Sequence, residues 1–141
     1  MDLDPYLTFP GTCMEACEFY AEVFGGDITF MQRVANSPAA DQLPPEVQDQ
    51  VLHASLSIAG RTIYGSDATM TPYEPARGIY VQVTLEDRDR ASRVFSRLKK
   101  DGTVIMAFER MFWADGFGIC RDRFGTPWII NCPLPEGTHT H

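Results

Sequence analysis

No apolar run in this chain exceeds five residues, the longest being Val104–Phe108. A membrane-spanning helix needs about 20, so none is expected. The opening residues, Met1-Asp2-Leu3-Asp4, are acidic and precede no apolar stretch, so no secretory leader is expected either. Lysine is scarce: ten of the twelve bases are arginine. The bases are outnumbered by 19 acids, for a net charge of −7, which argues against general nucleic-acid binding. Cysteine is limited to Cys13, Cys17, Cys120 and Cys132, with no C-x-x-C pair. A structural zinc site would want paired spacing and nearby histidines, so no metal is expected. Cys13 and Cys17, four apart in an apolar helical pattern, read as small core residues. Reduced thiols fit the cytoplasm. Only one histidine, His53, precedes the tail that carries His139 and His141. No phosphate loop, dinucleotide fingerprint or nucleophile elbow appears, so no cofactor is expected.

What is present is an ordinary globular composition, 44% hydrophobic and 22% charged over 141 residues. A chain of this length buries roughly 68–70% of its unfolded surface and needs no disulfide staple. The charge is unevenly placed. Residues 1–75 carry 11 acids and 2 bases, net −9; residues 76–141 carry 8 acids and 10 bases, net +2. Two copies could pair antiparallel, acidic half against neutral-to-basic half.

The two halves repeat one grammar. Tyr6–Phe9 is a short strand ended by Pro10-Gly11. Thr12-Cys13-Met14-Glu15 has the T-x-x-E pattern of a capping box. The helix it opens bears a narrow polar stripe of Glu15, Glu18 and Glu22, and Gly25-Gly26 stops it. Asp27–Val34 reads as a strand, and the proline-bearing stretch 35–49 as a surface excursion. Val51–Ile58 alternates strictly, with Leu52, Ala54, Leu56 and Ile58 on one side and Val51, His53, Ser55 and Ser57 on the other, and Thr62–Ser66 returns after a tight turn. In the second half Gly78–Leu85 alternates, and Asp87 is a helix N-cap. Ala91, Val94, Phe95 and Leu98 recur at helical spacing. Val104–Met106 reads as a strand, residues 108–116 as a loop bearing Phe112 and Trp113, and 117–121 with 128–132 as a hairpin.

Each half is thus strand, helix, three strands. The expected fold is α+β: two βαβββ modules forming a curved mixed sheet, with helices on the convex side and a concave cleft. Module one spans about residues 5–67, a linker 68–77, module two 78–132 and a tail 133–141, all in a single domain. By strand parity the cleft is lined by Tyr6, Thr8, His53, Ser55, Ser57, Tyr80, Gln82 and Thr84. Trp113 could roof it or anchor its own loop. Asp67 could accept hydrogen bonds at the cleft mouth or cap the turn that follows it. Cys120, sharing parity with Gly118, is a further cleft candidate, with no base beside it to make a nucleophile.

These words resemble the PhnB-like branch of the glyoxalase/bleomycin resistance/extradiol dioxygenase superfamily, the vicinal oxygen chelate fold. The resemblance rests on Pro5-Tyr6-Leu7, the segment Phe19–Gly26, His53-Ala54-Ser55-Leu56, Ser66-Asp67, the segment Phe112–Gly118, and the segment Asp122–Asn131. Metal-dependent members hold a divalent ion with four side chains, typically His and Glu, from the first and fourth strands of each module. Here those positions fall on Pro5 or Tyr6, on Tyr80 or Val81, on Ser66-Asp67, and on Ile129 with Asn131 along the same face. One carboxylate does not hold a divalent ion, so the family metal site is expected to be lost. The branch is also labelled a demethylubiquinone methyltransferase, yet no glycine-rich strand-to-helix turn offers a site for S-adenosylmethionine.

The expected function is small-molecule binding in the cleft, with an unknown ligand. The alternative is a metal-independent enzyme using His53, with Tyr6 or Tyr80, for proton transfer. The resemblance implies a homodimer. So does the need to cover the exposed edges of a small sheet.

Overall fold

The computed structural model of the protein describes residues 1–135. The expected tail at 133–141 lies partly outside them, and His139 and His141 wholly so. The chain divides into a first unit, Met1–Glu74, and a second beginning at Pro75, so the division falls inside the expected linker. Each unit is one βαβββ module. The first contains β1 (Tyr6–Phe9), α1 (Cys13–Phe24), β2 (Asp27–Arg33), β3 (Val51–Ile58) and β4 (Arg61–Asp67). The second contains β5 (Val81–Thr84), α2 (Arg88–Lys99), β6 (Thr103–Met111), β7 (Ala114–Arg121) and β8 (Pro127–Pro133). The strand orders are β1-β4-β3-β2 and β5-β8-β7-β6. In each sheet the first strand pairs parallel to the fourth and the other pairs are antiparallel. This is the expected α+β class with its module repeat.

The start of α1 corrects the capping-box reading. Thr12 makes no side-chain cap bond, and among the described residues its buried hydroxyl has no partner. The cap comes instead from the end of β4. Asp67 Oδ1 accepts from the amides of Gly11 (3.0 Å) and Cys13 (2.9 Å), and Oδ2 accepts from Val51 (2.8 Å). A carboxylate brought from far along the chain therefore satisfies helix-terminal donors that a local side chain would otherwise take. Gly25, at φ +70°, closes the same helix in the left-handed conformation. For α2 the local reading holds: Asp87 Oδ1 accepts from the amides of Asp89 and Arg90.

The helix-covered face of each sheet carries the core. Phe9, Ala54 and Leu56 are buried with Cys13, Ala16 and Tyr20 of α1. In the second module Trp128, Ile130 and Cys120 are buried with Val94, Phe95 and Leu98 of α2. Gly118 lies beneath Phe95: a Cβ there would stand 2.9 Å from the Phe95 ring and from the Phe108 backbone. Cys120 shares this parity, so it turns toward the helix and not toward the opposite face. Burial pushes its thiol up to about 12, so it stays protonated at neutral pH.

Strand limits in the second module differ from the expected ones. β6 and β7 together replace most of the loop expected at 108–116, leaving Phe112-Trp113 as a two-residue hairpin tip. The register between them shifts three times. Each bulge breaks the period-two pattern by which a strand is recognised. β5 is also shorter than expected, so Tyr80 precedes it.

Candidate functional site

The sheet face turned away from α1 holds a row of rings drawn from all four strands. Register places Tyr6 opposite Tyr64, and both Tyr64 and Phe30 opposite Ser55, while Gln32 lies opposite His53. Tyr64 and His53 stack at 5.5 Å between centroids and 27° between planes. Tyr6 lies 6.4 Å from Tyr64 and 6.0 Å from His53, and Phe30 lies 5.9 Å from His53. The imidazole thus touches three rings. Tyr6 and Phe30 are 51% and 45% exposed, a large apolar area left open to solvent at both ends of the row. Ser55 lies half-buried among them and supplies a hydroxyl.

Tyr6, His53 and Ser55 were expected on this face and are brought together there. Tyr64 and Phe30 were missed. For Tyr64 a signal was available: it sits two residues from Thr62 in a strand that alternates. Phe30 had none. The register slips between Ile28 and Phe30, so Thr29 is an extra residue and Phe30 turns outward against simple parity. A second slip between Gln32 and Arg33 explains why Val51 is buried, 1% exposed, although alternation groups it with His53.

Asp67 is tied into its own chain. It is 3% exposed, and both its oxygens are engaged by backbone amides. It holds the start of α1 and the start of β3 to the end of β4, and so fixes the strand that carries His53. The turn-cap reading was nearer, though the amides it binds belong to earlier segments.

The remaining candidates lie in the second module. Gln82 is exposed on β5 beside Ile129 of β8, and its amide donates to the Thr84 hydroxyl at 3.4 Å. Tyr80 is 41% exposed. Trp113 sits edge-on to Phe117 at 5.6 Å and to Phe112 at 4.8 Å. It is anchored through Phe117 yet remains 48% exposed. A groove of about 230 Å³ lies elsewhere, between α2 and β6, floored by Phe95, Val104 and Phe108. It is smaller than usual small-molecule pockets, which run from about 300 Å³ upward.

The site's acid–base and ligating capacity is limited. Among the described residues no hydrogen bond reaches the His53 ring, whose neighbours are aromatic. No group of three or more His, Cys, Asp or Glu side chains among those residues could hold a metal ion. The four cysteines are free and buried. Cys13 and Cys17 approach to 3.9 Å, and this contact together with burial raises the Cys13 thiol above its ordinary value.

Comparison with known proteins follows the fold closely. Residues 2–131 match the model of the 3-demethylubiquinone-9 3-methyltransferase family. Protein YjdN of Escherichia coli is 32% identical over 146 residues, covering 98% of this chain and 99% of the relative. The crystal structure of protein PA1353 from Pseudomonas aeruginosa superposes with a TM-score of 0.86 at 33% identity, covering 94% of this chain and 98% of the other. A glyoxylase/bleomycin resistance protein/dioxygenase domain from Frankia shares the fold at a TM-score of 0.69 and 12% identity, covering 99% of this chain and 96% of the other.

Proposed function

We propose, for a chain that belongs to the PhnB-like 3-demethylubiquinone-9 3-methyltransferase family and carries the glyoxalase/bleomycin resistance fold, that it binds a small, flat, largely apolar molecule on the ring row of its first module. The observation that carries this is the row of Tyr6, Tyr64, His53 and Phe30, stacked at Tyr64 and tilted at Phe30, drawn from four different strands and left open at both ends. Rings held by a sheet offer preformed π faces, and a ligand ring gains from each without ordering a loop. Ser55 and the His53 imidazole supply the polar groups that orient it. Proton transfer by His53 lacks support, since among the described residues no acidic or hydroxyl group hydrogen-bonds the ring to set its tautomer.

The family metal is not part of this function. At the ligand positions stand Pro5 or Tyr6, Asp67, Tyr80 or Val81, and Ile129. The one carboxylate among them already accepts three amide hydrogen bonds from its own chain. Purified, dialysed protein should contain no stoichiometric divalent ion by elemental analysis. One zinc, nickel or iron per chain would overturn this and direct attention to ligands near His53.

Methyl transfer from S-adenosylmethionine is likewise not part of it. The strand-to-helix turns are Pro10-Gly11-Thr12 and Leu85-Glu86-Asp87, neither of them glycine-rich. The helix-start amides there are engaged by Asp67 and Asp87, which leaves those amides unavailable to a cofactor.

A thermal-shift panel of aromatic and apolar metabolites, with S-adenosylmethionine included, tests the reading. A true ligand at 100 times its dissociation constant stabilises by about 2.7 kcal/mol. Tyr64→Ala removes the central stacking surface and should weaken that ligand about tenfold, the equivalent of about 1.4 kcal/mol. S-adenosylmethionine should give no shift.

A further inference from the structure

The groove between α2 and β6 lies wholly within the second module. Its helix side carries Ser92, Ser96 and Lys99, and its strand side Val104, Ala107 and Phe108. Positions 92, 96 and 99 stand at i, i+4 and i+7, so the two hydroxyls and the ammonium stem form one row along the helix. Strict alternation would set Val104 and Phe108 on one face of β6 and Ala107 on the other. The register shifts between Val104 and Met106 and between Met106 and Glu109 break that alternation, and all three residues line the groove. β6 is the edge strand of its sheet, where bulges re-aim side chains in this way. The floor is held from below and from both sides. The Phe108 ring occupies the space over two glycines of β7: a Cβ at Gly116 would overlap the ring, and one at Gly118 would stand 2.9 Å from the Phe108 backbone. Phe95 stacks on Phe108 at 5.7 Å and 29°. The Arg88 guanidinium lies 5.6 Å from the centre of the same ring, and its Nε donates to the Asp115 carbonyl at 3.0 Å. Phe95 is buried and Phe108 half-buried, so Phe108 keeps ring surface open to the groove.

We propose that this groove binds a small aromatic carboxylate, its ring on Phe108 and its carboxylate at the Lys99 ammonium and the Ser96 hydroxyl. The floor selects an aromatic body, because the fixed Phe108 ring offers a π surface without ordering a loop. The rim selects an acid. Over its length α2 carries five bases and one acid, and Lys99 and Ser96 are both exposed, free to turn their donors toward a carboxylate. The size selects a single ring. About 230 Å³ is below the range of usual small-molecule pockets and leaves no room for a nucleotide. Water reaches the Lys99 pair, so the charge contributes modestly and is screened by salt. The site shares no residue with the ring row of the first module, and the inference does not depend on the reading of that row.

Titration of benzoate in low salt, followed by NMR of assigned methyl and ring resonances, tests it, with benzamide as the neutral counterpart. The Phe108 ring and the Val104 and Ala107 methyls should shift together along one saturable curve. Benzamide should bind about fivefold more weakly, the size of one ion pair that water reaches. Lys99→Gln should weaken benzoate by the same factor and leave benzamide unchanged, a pattern that damage to the fold does not give. Ala107→Trp fills the groove from an exposed position and should abolish the shifts at Val104 and Phe108. Tyr64→Ala, in the other module, should leave the affinity for benzoate as it was. The proposal would be overturned by groove resonances that do not shift saturably, by equal affinity for benzoate and benzamide, or by unchanged benzoate affinity in Lys99→Gln. Saturable binding confined to the Tyr6, Phe30, His53 and Tyr64 rings would overturn it too, and would speak for the ring row alone.

Discussion

Replacing Asp67 by alanine should cost about 3–5 kcal/mol of stability, because it strips the acceptor from three amides at once. Two of those amides, Cys13 and Val51, are bonded in the buried interior and the third, Gly11, in a part-buried position. Hydrogen bonds to a charged group are worth about 1.5–3 kcal/mol each, and a buried donor left unpaired loses its solvation as well. The contributions do not add fully, since the start of α1 can shift and admit water once the carboxylate is gone. Asp67→Asn keeps one acceptor oxygen but sets an amide nitrogen against a backbone donor, so it should fall between alanine and wild type. Chemical denaturation measures both. A loss below 1 kcal/mol for alanine would mean that this carboxylate does not hold the helix, the two strands and their ring row together.

Phe95→Ala should cost about 3–5 kcal/mol. Phe95 is 3% exposed, lies 5.7 Å from the Phe108 ring, and covers the glycine at 118. A strand residue without a side chain cannot collapse into the space that the ring vacates, so the cavity term should be close to full. A change under 1 kcal/mol would mean that this face of α2 does not carry the core of its module.

Local signals were legible in the sequence and long-range ones were not. Asp87 and the period of Ala91, Val94, Phe95 and Leu98 gave α2 within a residue, since a cap and a helical stripe are read over a dozen neighbours. Tyr6, His53 and Ser55 were placed on one face by alternation alone. Alternation failed wherever an extra residue entered a strand: at Thr29 it hid Phe30 from the site, near Leu52 it hid Val51 from the core, and along β6 it cut a nine-residue strand to the expected Val104–Met106 and left its end to a loop. Asp67 shows a second kind of illegibility. Its amides lie 56, 54 and 16 residues away, and no local pattern announces such a bond. The local candidate for the same task, Thr12 with Glu15, matched the capping-box pattern but carries no cap bond.

The ring row is the centre of the functional account, and ligand titration followed by aromatic NMR tests it most directly. A compound found in the thermal-shift panel would be titrated into protein with assigned Tyr6, Phe30, His53 and Tyr64 ring resonances. The account predicts that these four shift together with one dissociation constant, and that the same constant rises about tenfold in Tyr64→Ala. It would be contradicted by saturable binding that leaves all four rings unmoved, or that has the same affinity with and without the Tyr64 ring.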